Sequence, residues 1–366
     1  MGERFRTRAM VVPRALASRL GRGRPADPPR RILLAHNLLL GDTLMLTPLL
    51  AKLRERHPAA ELTLLASPAT APLYERRPYG VRALPFRPAE AATTRALLRE
   101  PAPDLAFVLG DNRYSWLAAA MGARRIVAHA GDPRASSNWL VDEAHEYGAK
   151  PGAWGDLAAE LVAGPAPRPF ARGDWEAPTA RAFDMPREPY AVLHVGGSTP
   201  LKHWLPDRWA ALAQALVERG LAIAWSAGPG EEALVKAADP GQRHASYAGR
   251  LDLSQMWRLV AGARVLVSPD TGVAHLGRIT WTPTVTLFGP GSVQLAGTGE
   301  FWRDTPWRGV GRDPFPCRDQ QFLFRRRVEW VRRCGRTVEE CPEPRCMHAI
   351  GIDEVVAAAA EVQSRL

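Results

Sequence analysis

The strongest constraint on the fold is a stretch in the second half of the chain where a buried-strand pattern changes abruptly into a helix start. The apolar run Val265–Ser268 is followed by Pro269, Asp270, Thr271 and Gly272, and a helix pattern begins there. At such a junction the first backbone N–H groups of the helix and the positive end of its dipole attract anions. The junction predicts either an anion site or an ordinary helix capped by Asp270 or Thr271.

Three similar junctions occur, and they are distributed over both halves of the chain. After each apolar run come small and polar residues: Gly41-Asp42-Thr43, Gly196-Gly197-Ser198-Thr199 and Gly228-Pro229-Gly230. Ligands of open α/β sheets bind beyond the carboxyl ends of the strands. The four loops therefore predict one cleft lined from both halves.

Apolar strand patterns alternate with helix patterns, which is typical of parallel α/β sheets. The predicted strands are Ile32–Ala35, Leu62–Ala66, Val81–Phe86, Leu105–Leu109 and Arg125–Ala128, then Ala191–Val195, Ala222–Ser226, Val265–Ser268 and Thr284–Phe288. A Pro- and Gly-rich stretch, 164–189, separates the two groups and indicates a linker. A chain of 366 residues suits two domains. We expect two doubly wound domains that face a central cleft.

The net charge of +10 is concentrated in basic segments. Residues 1–31 hold nine arginines against Glu3 and Asp27, with no apolar run long enough for a signal peptide or a membrane span. We expect a cytoplasmic protein whose basic tail is either a solvated flexible segment or a contact with an anionic membrane. The run Arg325–Arg327 lies near Trp330; no nucleic-acid-binding motif accompanies it, so an acidic carbohydrate or lipid headgroup fits better than nucleic acid.

All four cysteines lie in the last fifth of the chain: Cys317, Cys334, Cys341 and Cys346. Their spacing is not that of a zinc ribbon. Buried thiols are one interpretation, and a structural metal site is the other.

Taken together, these motifs resemble glycosyltransferase family 9, the bacterial heptosyltransferases that build the inner core of lipopolysaccharide. The resemblance runs from about Arg31 to the end of the chain, and its carriers are Gly41-Asp42, Lys202-His203-Trp204, Gly228-Pro229-Gly230-Glu231, Asp270-Thr271-Gly272 with His275, Phe288-Gly289-Pro290 and the segment Cys341–Cys346. It implies a GT-B fold of two Rossmann-like domains, the C-terminal one holding the nucleotide sugar and the N-terminal one the acceptor. The expected boundaries are a basic tail 1–30, domains 31–178 and 179–350, and a final helix 351–366.

The resemblance implies transfer of a heptose from ADP-heptose to a lipopolysaccharide inner core or another cell-surface glycan. The chain contains no Asp-x-Asp, so a metal-bridged pyrophosphate is not indicated and no cofactor is expected. Fixed positive groups must then stabilise the leaving diphosphate. The residues predicted for this are Lys202, Ser198 and Thr199 through their backbone, and Asp270, Thr271 and Gly272 at the helix start.

Glu231 is either a ligand of the ribose hydroxyls or a first-turn acid favoured by the helix dipole. Leu251 aligns with a family position beside the adenine. An inverting transfer needs a base for the acceptor proton, and Asp42 after Gly41 matches the family's Gly-Asp, although it could equally be a helix cap. His275 is predicted to be a structural hydrogen-bonding residue.

Two departures from the family concern the acceptor. The loop His36–Leu40 is apolar where many relatives carry Arg or Ser, and the segment Asp313–Arg336 is longer and more basic than is typical. Alternatives are therefore another nucleotide sugar, a protein acceptor, a GT-B-like sugar-nucleotide epimerase, or a non-catalytic membrane-associated binding protein.

Overall fold

The computed structural model describes residues 2–21, 23 and 26–365. The chain divides into two compact units. Unit 1 comprises Met1–Arg168 and Phe322–Trp330, and unit 2 comprises Pro169–Gln321 and Val331–Leu366. The first division thus lies ten residues before the boundary expected from the sequence, at 178. The segment Phe322–Trp330, which the sequence places in the second domain, packs in unit 1.

Unit 1 is built on a six-stranded parallel sheet. Its strands are β1 (Arg31–Ala35), β2 (Glu61–Ala66), β3 (Val81–Pro85), β4 (Leu105–Val108), β5 (Arg125–His129) and β6 (Glu143–His145). Its helices are α1 (Glu3–Leu20), α2 (Leu40–Leu44), α3 (Thr47–Arg56), α4 (Ala91–Leu97), α5 (Ser115–Ala120), α6 (Ala135–Asn138) and α7 (Trp154–Ala159). The strand order is β3-β2-β1-β4-β5-β6.

Unit 2 repeats this plan. Its strands are β7 (Tyr190–His194), β8 (Ala222–Ser226), β9 (Ala245–Ser246), β10 (Val265–Pro269), β11 (Thr284–Phe288) and β12 (Trp307–Gly311). Its helices are α8 (Pro206–Val217), α9 (Glu232–Ala238), α10 (Leu253–Ala261), α11 (Gly272–Ile279), α12 (Val293–Ala296), α13 (Arg345–His348) and α14 (Ile352–Gln363). The strand order is β12-β11-β10-β7-β8-β9. If β7 is counted as the first strand and the sheet is followed from the β9 edge, this is the strand order of unit 1. A short antiparallel hairpin, β13 (Phe322–Leu323) and β14 (Arg326–Arg327), belongs to unit 1.

Each sheet reverses its strand order once, between β1 and β4 in unit 1 and between β7 and β10 in unit 2. At such a point the loops that leave the two strands diverge, and a crevice opens beyond their carboxyl ends. The α/β prediction with two parallel sheets is therefore confirmed. The four loops singled out in the sequence follow β1, β7, β8 and β10.

The prediction of a flexible basic tail is wrong for most of its length. Glu3–Leu20 is helical and packs on α5 and α4 of unit 1. The reason is that Val11 and Ala15, four residues apart on one face, are buried against apolar residues of unit 1. The backbone N–H of Ala91 also donates to the Glu3 carboxylate (3.0 Å). Met1, Arg22, Arg24 and Pro25 of the predicted tail lie outside the described residues.

The Pro- and Gly-rich stretch contains no helix or strand, as the sequence predicts. It is nevertheless packed: Phe170 and Trp175 are buried, and the ring centroid of Phe170 lies 4.5 Å from that of Trp302.

In the part of the chain that the structure describes, no helix combines the length and apolarity that crossing a membrane requires.

Candidate functional site

In unit 2, the loop after β7 brings a lysine to the loop after β10. Thr199 begins a short 3-10 helix, Pro200–Lys202, and its hydroxyl accepts a hydrogen bond from Leu201 N. This turn directs Lys202 to Asp270, where Nζ donates to the backbone oxygen (2.6 Å) and lies 3.3 Å from a carboxylate oxygen. Because β7 and β10 are neighbours at the reversal point, the two residues meet where a ligand of this fold binds.

The electrostatics around Asp270 favour its charged form. Burial raises the pKa of Asp270, but the positive charges of Lys202 and Arg278 outweigh it, so the pKa lies below its ordinary value. Burial lowers the pKa of His275 to about 3, so this histidine is neutral. Burial also lowers the pKa of Arg278 to about 9, and its guanidinium donates to the carbonyl of Gly297 at 2.9 Å. The charge of Arg278 thus helps to lower the pKa of Asp270, and this residue was not predicted from the sequence.

Glu231 connects two of the predicted loops. Its carboxylate accepts hydrogen bonds from the backbone N–H of Gly197 (2.9 Å) and of Gly228 (2.7 Å). A Cβ at Gly196 would lie 2.0 Å from a Glu231 oxygen, so a larger residue there would displace this carboxylate. The ribose role of Glu231 stays a prediction; in this structure its carboxylate holds the loops after β7 and β8 together.

The remaining predicted donor residues take up positions at the same end of the sheet or close to it. Thr271 is the N-cap residue of α11, but its side chain makes no capping hydrogen bond and its hydroxyl instead contacts that of Ser268 (3.1 Å). Gly272 is the first residue of α11. Ser198 is exposed in the loop after β7, and Leu251 is half-buried between β9 and α10.

In unit 1, Asp42 lies in the first turn of α2, after β1, and Gly41 precedes it. Asp42 is not the N-cap, which is Leu39. The backbone carbonyl of Asp42 accepts a hydrogen bond from Trp154 Nε1 (3.3 Å). Asp42 also lines a cavity of about 260 Å³.

The walls of this cavity come from the loops after β1 and β4 and from the β13–β14 hairpin. The lining residues are Asn37, Leu38, Leu39, Asp42, Leu109, Gly110, Asp111, Arg113, Tyr114, Phe324 and Arg325. The Asp111 carboxylate lies 3.0 Å from Arg113 Nε and 2.8 Å from Arg325 Nη2. Sequence reasoning singled out the arginine run but did not place it beside Asp42; its basic and aromatic composition was the only signal.

The four cysteines of unit 2 line a second cavity of about 350 Å³. None forms a disulfide, and burial raises the pKa of the Cys346 thiol. Within the described ranges, no three His, Cys, Asp or Glu side chains are placed to hold a metal ion. The cysteines are therefore close in space but not arranged as ligands, and a metal there stays a prediction.

Solved structures share this fold. A family 9 glycosyl transferase from Veillonella parvula covers 92% of this chain and 98% of its own, with a TM-score of 0.69 at 14% identity. An ADP-heptose lipopolysaccharide heptosyltransferase II from Escherichia coli gives a TM-score of 0.66 at 17% identity, with 92% and 98% covered. At these identities the likeness concerns the fold, which is the GT-B fold predicted from the sequence.

Sequence similarity is more specific. Lipopolysaccharide heptosyltransferase 1 of Pseudomonas aeruginosa is 31% identical over 212 residues, which are 56% of this chain and 57% of that protein. The match thus spans little more than half the length of that relative. The model of glycosyltransferase family 9 (heptosyltransferase) matches residues 98–307. Since this region is more than half of the chain and the fold agrees, the protein belongs to glycosyltransferase family 9, the heptosyltransferase family.

Proposed function

We propose that the protein is an inverting glycosyltransferase that moves a heptose from ADP-heptose to a lipopolysaccharide inner-core acceptor. The observation that carries the proposal is the Lys202–Asp270 pair, which lies at the strand reversal of unit 2 beside the start of α11. Family membership and the ADP-heptose named for the Escherichia coli structure support the choice of donor.

On the donor side, Lys202 is the cation that stabilises the leaving diphosphate. Its side chain is only 21% exposed, so its charge is weakly screened, and the carbonyl and carboxylate of Asp270 fix its position. The N–H groups of Ser198, Thr199, Thr271 and Gly272 add donors for phosphate oxygens. We assign Leu251 to contact with the adenine. Glu231 is assigned to the ribose, and it also holds the loops after β7 and β8 in position.

On the acceptor side, Asp42 is the general base. It takes the proton of the acceptor hydroxyl as that oxygen bonds to the anomeric carbon of the heptose, and ADP leaves with the electron pair of the broken bond. A positioned base contributes roughly 100- to 10,000-fold to such a rate. Trp154, which donates to the Asp42 carbonyl, holds the turn that carries this carboxylate.

The test is Asp42→Asn, which is isosteric but cannot accept the proton. Turnover is expected to fall roughly 100-fold or more, while ADP affinity stays within about twofold. The matched control is Asp207→Asn, an exposed aspartate of α8. A wild-type rate in the Asp42 variant would remove this residue from the mechanism.

Product analysis tests the alternatives to this reaction. Transfer from a UDP- or GDP-sugar would keep glycosyl transfer but change the proposed donor. Transfer to a protein would keep it but change the proposed acceptor. An epimerase would convert the nucleotide sugar without any acceptor, and the proposed transferase requires one.

We further propose that α1 holds the protein on the cytoplasmic face of the inner membrane. Phe5, Val12, Leu16 and Leu20 are 57%, 39%, 50% and 92% exposed. Their spacing places them on one side of α1, away from buried Val11. This apolar stripe has an anionic bilayer as its proposed partner, because the exposed arginines Arg6, Arg8 and Arg14 lie on the same helix.

A nearby tryptophan extends this surface. Trp139 is 69% exposed, and its carbonyl accepts a hydrogen bond from Arg19 near the end of α1. Tryptophan favours the membrane–water interface, and each arginine near an anionic surface adds about 1 kcal/mol. An apolar stripe, an aromatic side chain and basic residues are the features of a helix that lies on a membrane.

Flotation with phosphatidylglycerol vesicles tests the membrane proposal. The protein is expected to float with these vesicles but not with phosphatidylcholine vesicles, and Leu16→Glu is expected to abolish flotation. Val338→Glu, which places the same charge on an exposed apolar residue of unit 2, is the control. Equal flotation of the two variants, or equal binding to both lipids, would contradict the proposal.

A further inference from the structure

The β13–β14 hairpin is held in unit 1 by one buried arginine. Arg326 is 3% exposed, and its guanidinium donates to the carbonyls of Ala130 (2.7 Å) and Gly110 (2.7 Å) and to Asn112 Oδ1 (2.7 Å). These acceptors lie just beyond the ends of β4 and β5. The hairpin is thus attached to the edge of the sheet at which ligands of this fold bind.

The tip of this hairpin has an unfavourable backbone conformation. Phe324 and Arg325 have φ angles of 45° and 68°, in the left-handed region that few non-glycine residues adopt. A hairpin with two such central residues normally contains Asn or Gly there. Strained backbone positions are concentrated at active sites and ligand-binding sites. The strain at Phe324 and Arg325 therefore indicates that their side chains have a function.

Both side chains lie at the cavity that contains Asp42. The ring centroids of Phe324 and Trp154 lie 4.5 Å apart. Trp154 is the residue that donates to the Asp42 carbonyl. The Phe324 Cδ1 would lie 3.3 Å from a Cβ at Gly110, whose φ of 76° also favours glycine. The strained tip therefore provides one wall of the cavity, and Phe324 offers an apolar surface there.

The tip brings partly exposed guanidinium groups to the cavity. Asp111 is shared by the guanidinium groups of Arg113 and Arg325, which are 54% and 41% exposed. The buried Asp132 lies 3.4 Å from Arg325 and 3.9 Å from Arg326. With Asp42 counted, three arginines face three aspartates, so the cavity has no net charge. Two of the guanidinium groups, those of Arg113 and Arg325, nevertheless lie at the cavity and are partly exposed, so they can donate to the oxygen atoms of an anionic group.

We propose that the hairpin tip binds the acceptor glycan: Phe324 packs on a sugar ring, and Arg325 pairs with a carboxylate or phosphate group on that glycan. The inference rests on the proposed function only in naming the ligand as the acceptor. Arg326 is a positioning residue that holds the tip in place.

The experiment measures binding without donor or turnover, so its outcome is independent of heptose transfer. Saturation-transfer NMR on the full chain uses three probes: glucose, glucuronate and glucose 6-phosphate. We expect signals from one or both anionic sugars, and at least tenfold weaker signals from glucose. Glucuronate alone indicates a carboxylate partner, and glucose 6-phosphate alone indicates a phosphate.

Variants assign the signal to the tip. Arg325→Gln is expected to weaken anionic-sugar binding at least tenfold, and Arg325→Lys, which keeps the charge, to restore most of it. Arg327→Gln removes the same charge from an exposed neighbour that does not line the cavity and is expected to bind as wild type does. Glucose bound as well as the anionic sugars, no probe bound by the wild type, or equal losses in Arg325→Gln and Arg327→Gln would overturn the proposal.

Discussion

Replacing Arg326 with methionine is expected to release the β13–β14 hairpin while leaving the rest of unit 1 folded. Methionine keeps much of the apolar volume but none of the five hydrogen bonds that the guanidinium makes. The carbonyls of Ala130 and Gly110 each lose a 2.7 Å donor. The Asp132 carboxylate loses less stabilisation, because it also accepts a hydrogen bond from Asn112 N at 3.1 Å.

The magnitude follows from these contacts. An unsatisfied buried acceptor costs roughly 1–3 kcal/mol, so two of them lower the free energy of local opening by about 3 kcal/mol. Since about 1.4 kcal/mol corresponds to a factor of ten, amide hydrogen exchange in residues 322–328 should become about 100-fold faster.

The assay is hydrogen exchange followed by mass spectrometry of peptides from the full chain. Peptides covering β10 and β11 serve as internal references, and Arg327→Met, at an exposed position, serves as the control. Acceleration of less than about threefold, or equal acceleration in both variants, would refute the assignment of Arg326 as the residue that holds the hairpin.

Three further predictions concern stability, the donor loops and metal. Burial lowers the pKa of His36, His129 and His275 to about 3 and that of His194 to about 4. Below the unfolded value of 6.5 the unfolded chain binds more protons. The Tm should therefore fall as pH decreases from about 7 to about 5, and a constant or rising Tm would contradict the neutral state of these histidines. Gly196→Ala places a methyl group 2.0 Å from a Glu231 oxygen and should weaken ADP binding about tenfold in calorimetry. The control is Gly241→Ala, whose methyl group has no neighbour closer than 3.5 Å and which should leave ADP affinity unchanged. Equal ADP affinity in the two variants would show that the contact between Gly196 and Glu231 is irrelevant to donor binding. We also propose that transfer requires no metal, since the sequence lacks Asp-x-Asp; the rate should be unchanged by EDTA, and a loss restored by a divalent cation would count against it. Elemental analysis of the purified chain separately tests the cysteine cluster.

The sheet cores were predictable because their strands are continuous apolar runs. All nine predicted strands are present, with ends that differ by one residue at most. Five described strands were missed. Of these, β6, β9 and β12 lie at sheet edges, where half-exposed backbone imposes little apolar pattern. The other two, β13 and β14, are only two residues long each, which is too short for a pattern. Helix α1 was mistaken for a tail because charge obscured the buried apolar pair Val11 and Ala15.

The site was predictable only in part, because strand order is not visible in the sequence. The junction at Asp270 could be identified locally, but its contact with Lys202, 68 positions away in sequence, depends on the pairing of β7 with β10. Arg325 and Arg326 are neighbours in one basic run, yet one faces a cavity and the other is buried. That difference arises from contacts with Gly110 and Ala130, about 200 positions away in sequence. The roles assigned to Asp42, Glu231 and Leu251 stay predictions.

The most direct test of the donor assignment is calorimetric titration of the full chain with ADP, UDP and GDP. ADP is expected to bind at least tenfold more tightly than the other two. Lys202→Ala should lose this binding, whereas Lys236→Ala, at an exposed lysine of α9, should retain it. Equal affinity for the three nucleotides, or undiminished ADP binding in Lys202→Ala, would contradict this assignment.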